Sequence, residues 1–321
     1  MKAKVKSSSS FTTIQERGFA PVIVLAVLFL ILYAISPNSI TPKSMSAMLD
    51  QAAVLLLLAA GQCLIILMGR IDLANAAMCS AFTVVTAVCL NKWGMKSLVL
   101  TVIVAVIVGA LQAALHSFFQ VPSFVITLGF FGIAGGTALV ISQASTVLVE
   151  EKMRFTKPLF VATSPLPIAF IAALAIVGLV GIAIVKTPWG RALRAVGLNQ
   201  RATTYSGINT FLVVTSGFIL SNLFILLGAY GNVGQLGTAS ARIADSYLLP
   251  GIAAVVVGGT SIAGGIGGLG RTIWGVMIIA LLRIGLDIIH VPQNVQPVVY
   301  GLVIIVAIAI TVDRKRVAVV A

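Results

Sequence analysis

Long apolar runs separated by short polar ones fill this 321-residue chain. Residues 22–34 and 98–114 show the pattern plainly, with no charged side chain inside either run. The runs are continuous. Barrel strands would alternate apolar and polar positions over about ten residues, so the pattern predicts helices. A helix also satisfies every backbone amide within one segment, as lipid requires. A bilayer span needs about 20 apolar residues. On that measure the chain divides into spans at 19–36, 48–69, 73–90, 98–118, 124–141, 166–185, 210–230, 248–263, 273–289 and 295–312. The turns between spans 2 and 3 and between 8 and 9 are very short, so the sequence allows eight to ten. Polar stretches at 142–164 and 231–246 are expected outside the membrane. The fold class read from this is an all-α polytopic membrane protein with about ten transmembrane helices.

Composition agrees. The chain is 59% hydrophobic and 9% charged, where a soluble domain would hold about 45–50% apolar and about 25% charged residues. Charge then orients it. With the amino terminus inside, thirteen cations fall on the inner side: Lys2, Lys4, Lys6, Arg17, Arg70, Lys186, Arg191, Arg194, Arg201, Arg271, Arg314, Lys315 and Arg316. Seven fall outside: Lys43, Lys92, Lys96, Lys152, Arg154, Lys157 and Arg242. The positive-inside rule therefore places both termini in the cytoplasm. The domain reading is a cytoplasmic tail at 1–18, a membrane domain at 19–312 and a second tail at 313–321. No cleavable signal peptide is read, because segment 19–36 is long enough to stay as a span.

The net charge of +13 does not mark a nucleic-acid binder. The cations sit at span ends and not in a basic domain with interleaved aromatics. Cys63, Cys79 and Cys89 lie inside spans without paired metal spacing and are read as packing residues. There is no G-x-x-x-x-G-K-[ST] phosphate loop, and no nucleophile–base constellation. His116 and His290 each stand alone near a span end. The chain is read as a non-enzyme. The glycine-rich stretch at 258–270 follows no strand, so it is read as a place of close backbone approach.

Ionisable groups in spans are functional candidates by default. Asp72 stands where it can cap span 3. Arg283 and Asp287 are four apart on one helix face and can pair with each other. Together with Gln62 and Asn75 they are the candidates for a polar pathway.

The basic loop at 186–208 carries four cations and no acid. Asn199 suits an N-cap and Gly207 a C′ position, which predicts a short amphipathic helix outside the membrane over 199–206.

Several motifs resemble one family. They are Gly61-Gln-Cys-Leu-Ile-Ile-Leu with Ile71-Asp-Leu; Val121-Pro-Ser-Phe-Val-Ile-Thr-Leu; Thr187-Pro-Trp-Gly-Arg with Ala195, Gly197, Asn199 and Ser206-Gly-Ile-Asn; and Ile252-Ala-Ala-Val-Val-Val-Gly-Gly-Thr-Ser with Gly264 and Gly265. Over nearly its whole length the chain resembles permease subunits of monosaccharide ABC importers, with branched-chain amino acid permeases as more distant relatives.

The resemblance implies a bacterial inner-membrane subunit moving a monosaccharide by alternating access. Two permease chains, identical or related, would form the pore. A separate cytoplasmic ABC ATPase would carry ATP and Mg; this chain would hold no cofactor. The ATPase would grip Gly190, Arg191, Gly197, Asn199, Arg201, Ala202, Ser206 and Gly207. A periplasmic sugar-binding protein would dock outside, with Lys152, Arg154 and Arg242 as candidate contacts for an acidic face.

The chain departs from the family in three places. Gly69-Arg70 replaces the common Ser-Gly, and Arg201 replaces the first of two alanines; both bear on how the ATPase docks. Arg283 and Asp287 stand where ribose permeases tend to have Asn. An ion-coupled secondary carrier is the competing reading, but it calls for several buried carboxylates or broken helices in two matched halves. The same importer class serving amino acids or nucleosides is the other alternative.

Overall fold

A computed structural model describes residues 20–36, 41–160 and 167–311. The tails at 1–18 and 313–321, with the cations read there, lie outside the described residues. The protein is an all-α polytopic membrane protein. Its main helices are α1 (Ala20–Ile35), α2 (Pro42–Leu67), α3 (Asn75–Trp93), α4 (Ser97–Phe119), α5 (Ser123–Ser142), α6 (Ile168–Lys186), α7 (Pro188–Leu198), α8 (Gln200–Tyr205), α9 (Thr210–Leu236), α10 (Leu248–Val257), α11 (Leu269–Ile288) and α12 (Gln296–Thr311). Among the described residues, six helical stretches are long and apolar enough to cross a bilayer, and three shorter apolar helices join them.

One of those six, Asn75–Phe119, is not a single rod. Gly94 leaves helical geometry with φ 67° and ψ −159°. Arg70, just before α3, hydrogen-bonds His116 in the last turn of α4 at 2.7 Å. A straight helix of that length would hold these residues roughly 70 Å apart at 1.5 Å per residue. So α3 and α4 run antiparallel.

Helix α2 is the axis. It is buried along most of its length and packs against α9, α11, α6 and α10. The outer helices show lipid the apolar side chains that α2 hides. Val99, Ile103, Ile107 and Leu111 line one exposed face of α4, and Leu179, Ile182 and Val185 project from α6. Exposed apolar faces of this extent are stable only where water is absent.

Helix α10 corrects the eighth expected span. Its ten residues rise about 15 Å, half of a roughly 30 Å hydrocarbon core. Residues 258–268 then leave the helix as a chain of tight turns. Part of that irregular backbone is held against protein: Gly265 N–H donates to the Leu67 carbonyl at the end of α2, at 2.9 Å. Helix α11 lies directly on α10, since a Cβ on Gly275 would fall 1.8 Å from the Ala254 carbonyl oxygen.

The helices define two ends. A basic end gathers the α2–α3 and α4–α5 turns, α7, α8 and the 258–268 turns. The opposite, hairpin end joins the two polar stretches read separately from sequence. There β1 (Val147–Leu148) pairs antiparallel with β2 (Thr238–Ala239). Thr156 donates to the Tyr230 carbonyl at 2.6 Å, and the Tyr230 hydroxyl meets Thr101 Oγ1 at 2.6 Å.

Candidate functional site at the basic end

The basic loop contains two helices where the sequence reading had one. Helix α7 begins at Thr187, whose Oγ1 accepts the Gly190 amide at 3.3 Å. Pro188 follows at the first helical position, where a missing N–H costs nothing. Ala192, Leu193 and Val196 turn inward and Arg191 outward.

Three spans meet α7. A Cβ on Gly190 would lie 2.0 Å from the Ile184 carbonyl oxygen, so α7 folds tightly back on α6. Trp189 Nε1 donates to Ser216 Oγ on α9 at 2.7 Å. A Cβ on Gly197 would lie 2.0 Å from the Leu67 carbonyl oxygen at the end of α2, and 2.6 Å from Gly265 N. Backbone meets backbone there, with no side chain between to give way. The glycine-rich stretch thus has the close-approach role read for it.

Helix α8 stands outside this junction. Asn199 caps it, its Oδ1 accepting the Ala202 amide at 3.0 Å. At the other end Gly207 takes φ +82°; its amide donates to Thr204, and the Ile208 amide donates to Thr203. These two bonds make a Schellman motif. Thr203 is buried, while Arg201, Ala202, Thr204, Tyr205 and Ser206 are exposed. Tyr205 is 90% exposed and Leu198 64%. The short helix thus presents an exposed tyrosine and an exposed cation, Arg201, two residue types enriched among the residues that carry the energy of protein contacts.

Arg70 ties this knob to the membrane helices. It is buried. Its Nε donates to His116 Nε2 at 2.7 Å, its Nη1 to the Met68 carbonyl at 2.8 Å and its Nη2 to Gln200 Oε1 on α8 at 2.8 Å. His116 Nδ1 lies 2.8 Å from the Val121 carbonyl, so Nδ1 holds the proton and Nε2 the lone pair. Burial alone pulls the guanidinium down to about 10. These three contacts line a cavity of about 440 Å3 with Asn199, Gly197 and Ser123.

The pathway candidates fall into two groups. Gln62 is buried in α2 with neither side-chain polar atom paired. Asn75 Nδ2 donates to the Leu58 carbonyl, one turn before it, at 3.3 Å. Arg283 and Asp287 lie near the hairpin end, and the expected pairing between them does not form. Arg283 lies over the Tyr247 ring at 5.6 Å from its centroid, and Asp287 accepts from Gln296 Nε2 at 2.8 Å. Contacts from neighbouring helices win over the one along the helix. Arg283 and Gln296 border a second cavity, of about 80 Å3, with Asp245 and Tyr300. Asp72 also differs from expectation: α3 starts three residues later, and Asp72 Oδ1 instead holds the turn through the Ala74 amide at 2.8 Å.

At the hairpin end Lys152 is exposed and pairs with Glu150 at 2.9 Å. Arg242 is exposed as well. Arg154 points inward, its Nη2 donating to the Gly234 carbonyl at 2.7 Å.

Sequence reading did not single out Tyr205, and it marked Arg70 only as part of a departure from the family pattern that bears on ATPase docking. The signal for Tyr205 was an aromatic placed just before Ser206-Gly207, where nothing local could bury it. For Arg70 the signals were an inner-side charge and the Gly69-Arg70 departure; its burial and its partners were not legible.

The chain matches the family described as the branched-chain amino acid transport system permease component over residues 44–308. It is 30% identical over 308 residues to the ribose import permease protein RbsC of Bacillus subtilis, covering 92% of each chain. It is 30% identical over 309 residues to RbsC of Escherichia coli K12, again covering 92% of each. It is 27% identical over 311 residues to the fructose import permease protein FrcC of Rhizobium meliloti, covering 93% of this chain and 86% of that one. No solved structure matches it. With the match running through nearly all of the described helices, the chain belongs to this family of import permeases.

Proposed function

We propose that the chain is the transmembrane subunit of an ATP-driven importer for a monosaccharide. In this reading ten helices span a bacterial inner membrane, α10 among them as a half-span followed by the 258–268 turns. Both termini and the basic end face the cytoplasm. A periplasmic sugar-binding protein delivers its cargo to the hairpin end, with exposed Arg242 and the exposed but Glu150-paired Lys152 as docking cations and Arg154 held inward. A second copy, or a related chain, completes the pore. ATP and Mg belong to a separate ABC ATPase that grips α8.

One observation carries the reading: α8 is exposed on its outward face, while α7 beside it touches α6, α9 and α2 at once. A push on such a knob moves the axial helix of the fold, and the pore can then alternate its access. The carboxylate count favours this reading over an ion-coupled carrier. Among the described residues Asp72 is the single fully buried carboxylate, and it lies at a turn.

The test is to replace Asn199 or Gly207 with a bulky residue in the complex with its ATPase. Sugar uptake should fall while ATP hydrolysis persists. Uptake at the wild-type rate, at equal expression, would refute the coupling role.

A further inference from the structure

The cavity behind α8 holds a charge without a counter-ion among the described residues. Arg70 is 6% exposed. A guanidinium has five N–H donors. Three of Arg70's go to neutral acceptors: the His116 lone pair, the Met68 carbonyl and the Gln200 amide oxygen. Neither ion pair among the described residues involves Arg70. A buried cation is costly unless paired. The cavity of about 440 Å3 far exceeds the ~30 Å3 share of one water, so it admits a whole side chain. Its wall includes Leu198, Asn199 and Gln200, where α7 passes into α8.

We propose that this cavity receives an Asp or Glu side chain of the cytoplasmic ATPase, whose carboxylate takes the two remaining Arg70 N–H groups. The inference rests on the assignment of α8 as the ATPase contact. Leu198, Asn199 and Gln200 line the cavity and lead into α8, so a partner seated on Leu198 and the start of α8 has the cavity mouth beside it. Guanidinium and carboxylate match as a two-pronged, charge-assisted pair. Arg70 also holds Gln200 of α8 and the Met68 carbonyl that follows α2. A carboxylate bound there fastens the ATPase to the axial helix as well as to the knob. Arg70 is then a positioning residue for the motor.

The experiment uses the permease co-purified with its ATPase. In the Arg70→Lys variant, a zero-length carbodiimide should form an amide between position 70 and one acidic residue of the ATPase, mapped by mass spectrometry. In the Arg70→Met variant, ATPase affinity should fall by at least about 30-fold, as for truncation of one member of a buried charge pair. Lys186→Met, which removes an exposed cation at the same end, should cost less than about 5-fold. Thermal unfolding of each variant checks that the fold survives.

If the wild-type chain captures no ATPase, the functional reading itself falls. If it does, yet position 70 yields no amide and Arg70→Met binds as tightly as wild type, this inference alone falls. A link only to Lys186, or loss of affinity only in membranes rich in anionic lipid, would also overturn it.

Discussion

The two ends of this protein are fastened by different means. At the basic end, backbone touches backbone: Gly197 lies on the Leu67 carbonyl, Gly190 on the Ile184 carbonyl and Gly265 N–H on Leu67 again. At the hairpin end the only backbone pairing between segments, among the described residues, is the short β1–β2 ladder and its Val149–Gly237 extension. Side chains do most of the remaining fastening: Arg154 reaches Gly234, Thr156 reaches Tyr230, Asn91 Nδ2 reaches the Leu148 carbonyl at 2.7 Å, and Asp287 takes Gln296. Backbone contacts cannot be exchanged for other residues without moving helices. Side-chain contacts can be exchanged one at a time. An end that transmits force needs the first kind. An end that meets a changing solute or delivery protein is served by the second.

The largest test of this contrast is Gly197→Val. The added side chain has no space, and overpacking alone costs about 1–3 kcal/mol or more. We expect a lower unfolding temperature in detergent and uptake reduced to background. Retention of both would show that the junction is soft. Next is Tyr205→Ala, at 90% exposure. Loss of an interface aromatic costs about 2 kcal/mol, so titration calorimetry should show about 30-fold weaker ATPase binding with unchanged thermal stability. Equal binding would remove Tyr205 from the interface.

Asn199→Ala should then lose a cap worth about 1 kcal/mol. Uptake is expected to fall several-fold while basal ATP hydrolysis holds, and a parallel fall in both would point to misfolding instead. The smallest effect belongs to the hairpin end. Lys152→Ala with Arg242→Ala should weaken binding-protein docking by no more than about 1 kcal/mol for each exposed charge. The loss should shrink further in added salt. A salt-independent loss of 100-fold would mean that the hairpin end, too, is built from indispensable contacts.

The same contrast explains what could be read from sequence. Each of the ten expected spans contains or overlaps an apolar helix, because an apolar run and the helix it forms are both local. The caps at Asn199 and Gly207 were legible for the same reason. Helix α7 was not, because Gly190 and Gly197 look like loop residues until the carbonyls of Ile184 and Leu67 are placed against them. Its start signal, Thr187-Pro188, was present. Arg70 was legible as a cytoplasmic charge and a departure from the family pattern, but not as a buried junction, since its partners lie 46 and 130 positions away. Arg283 and Asp287 had the right spacing to pair, but Tyr247 and Gln296 come from elsewhere in the chain and take them instead.

The central claim is that this chain does no work of its own and is moved from its basic end. Uptake of labelled ribose into liposomes measures this directly. The chain should be reconstituted with its binding protein outside, with and without the ATPase and ATP inside. We expect accumulation against a gradient only when ATPase and ATP are both present, for ribose or for whichever monosaccharide the binding protein selects. Accumulation by the chain alone, driven by a proton or sodium gradient, would contradict the account.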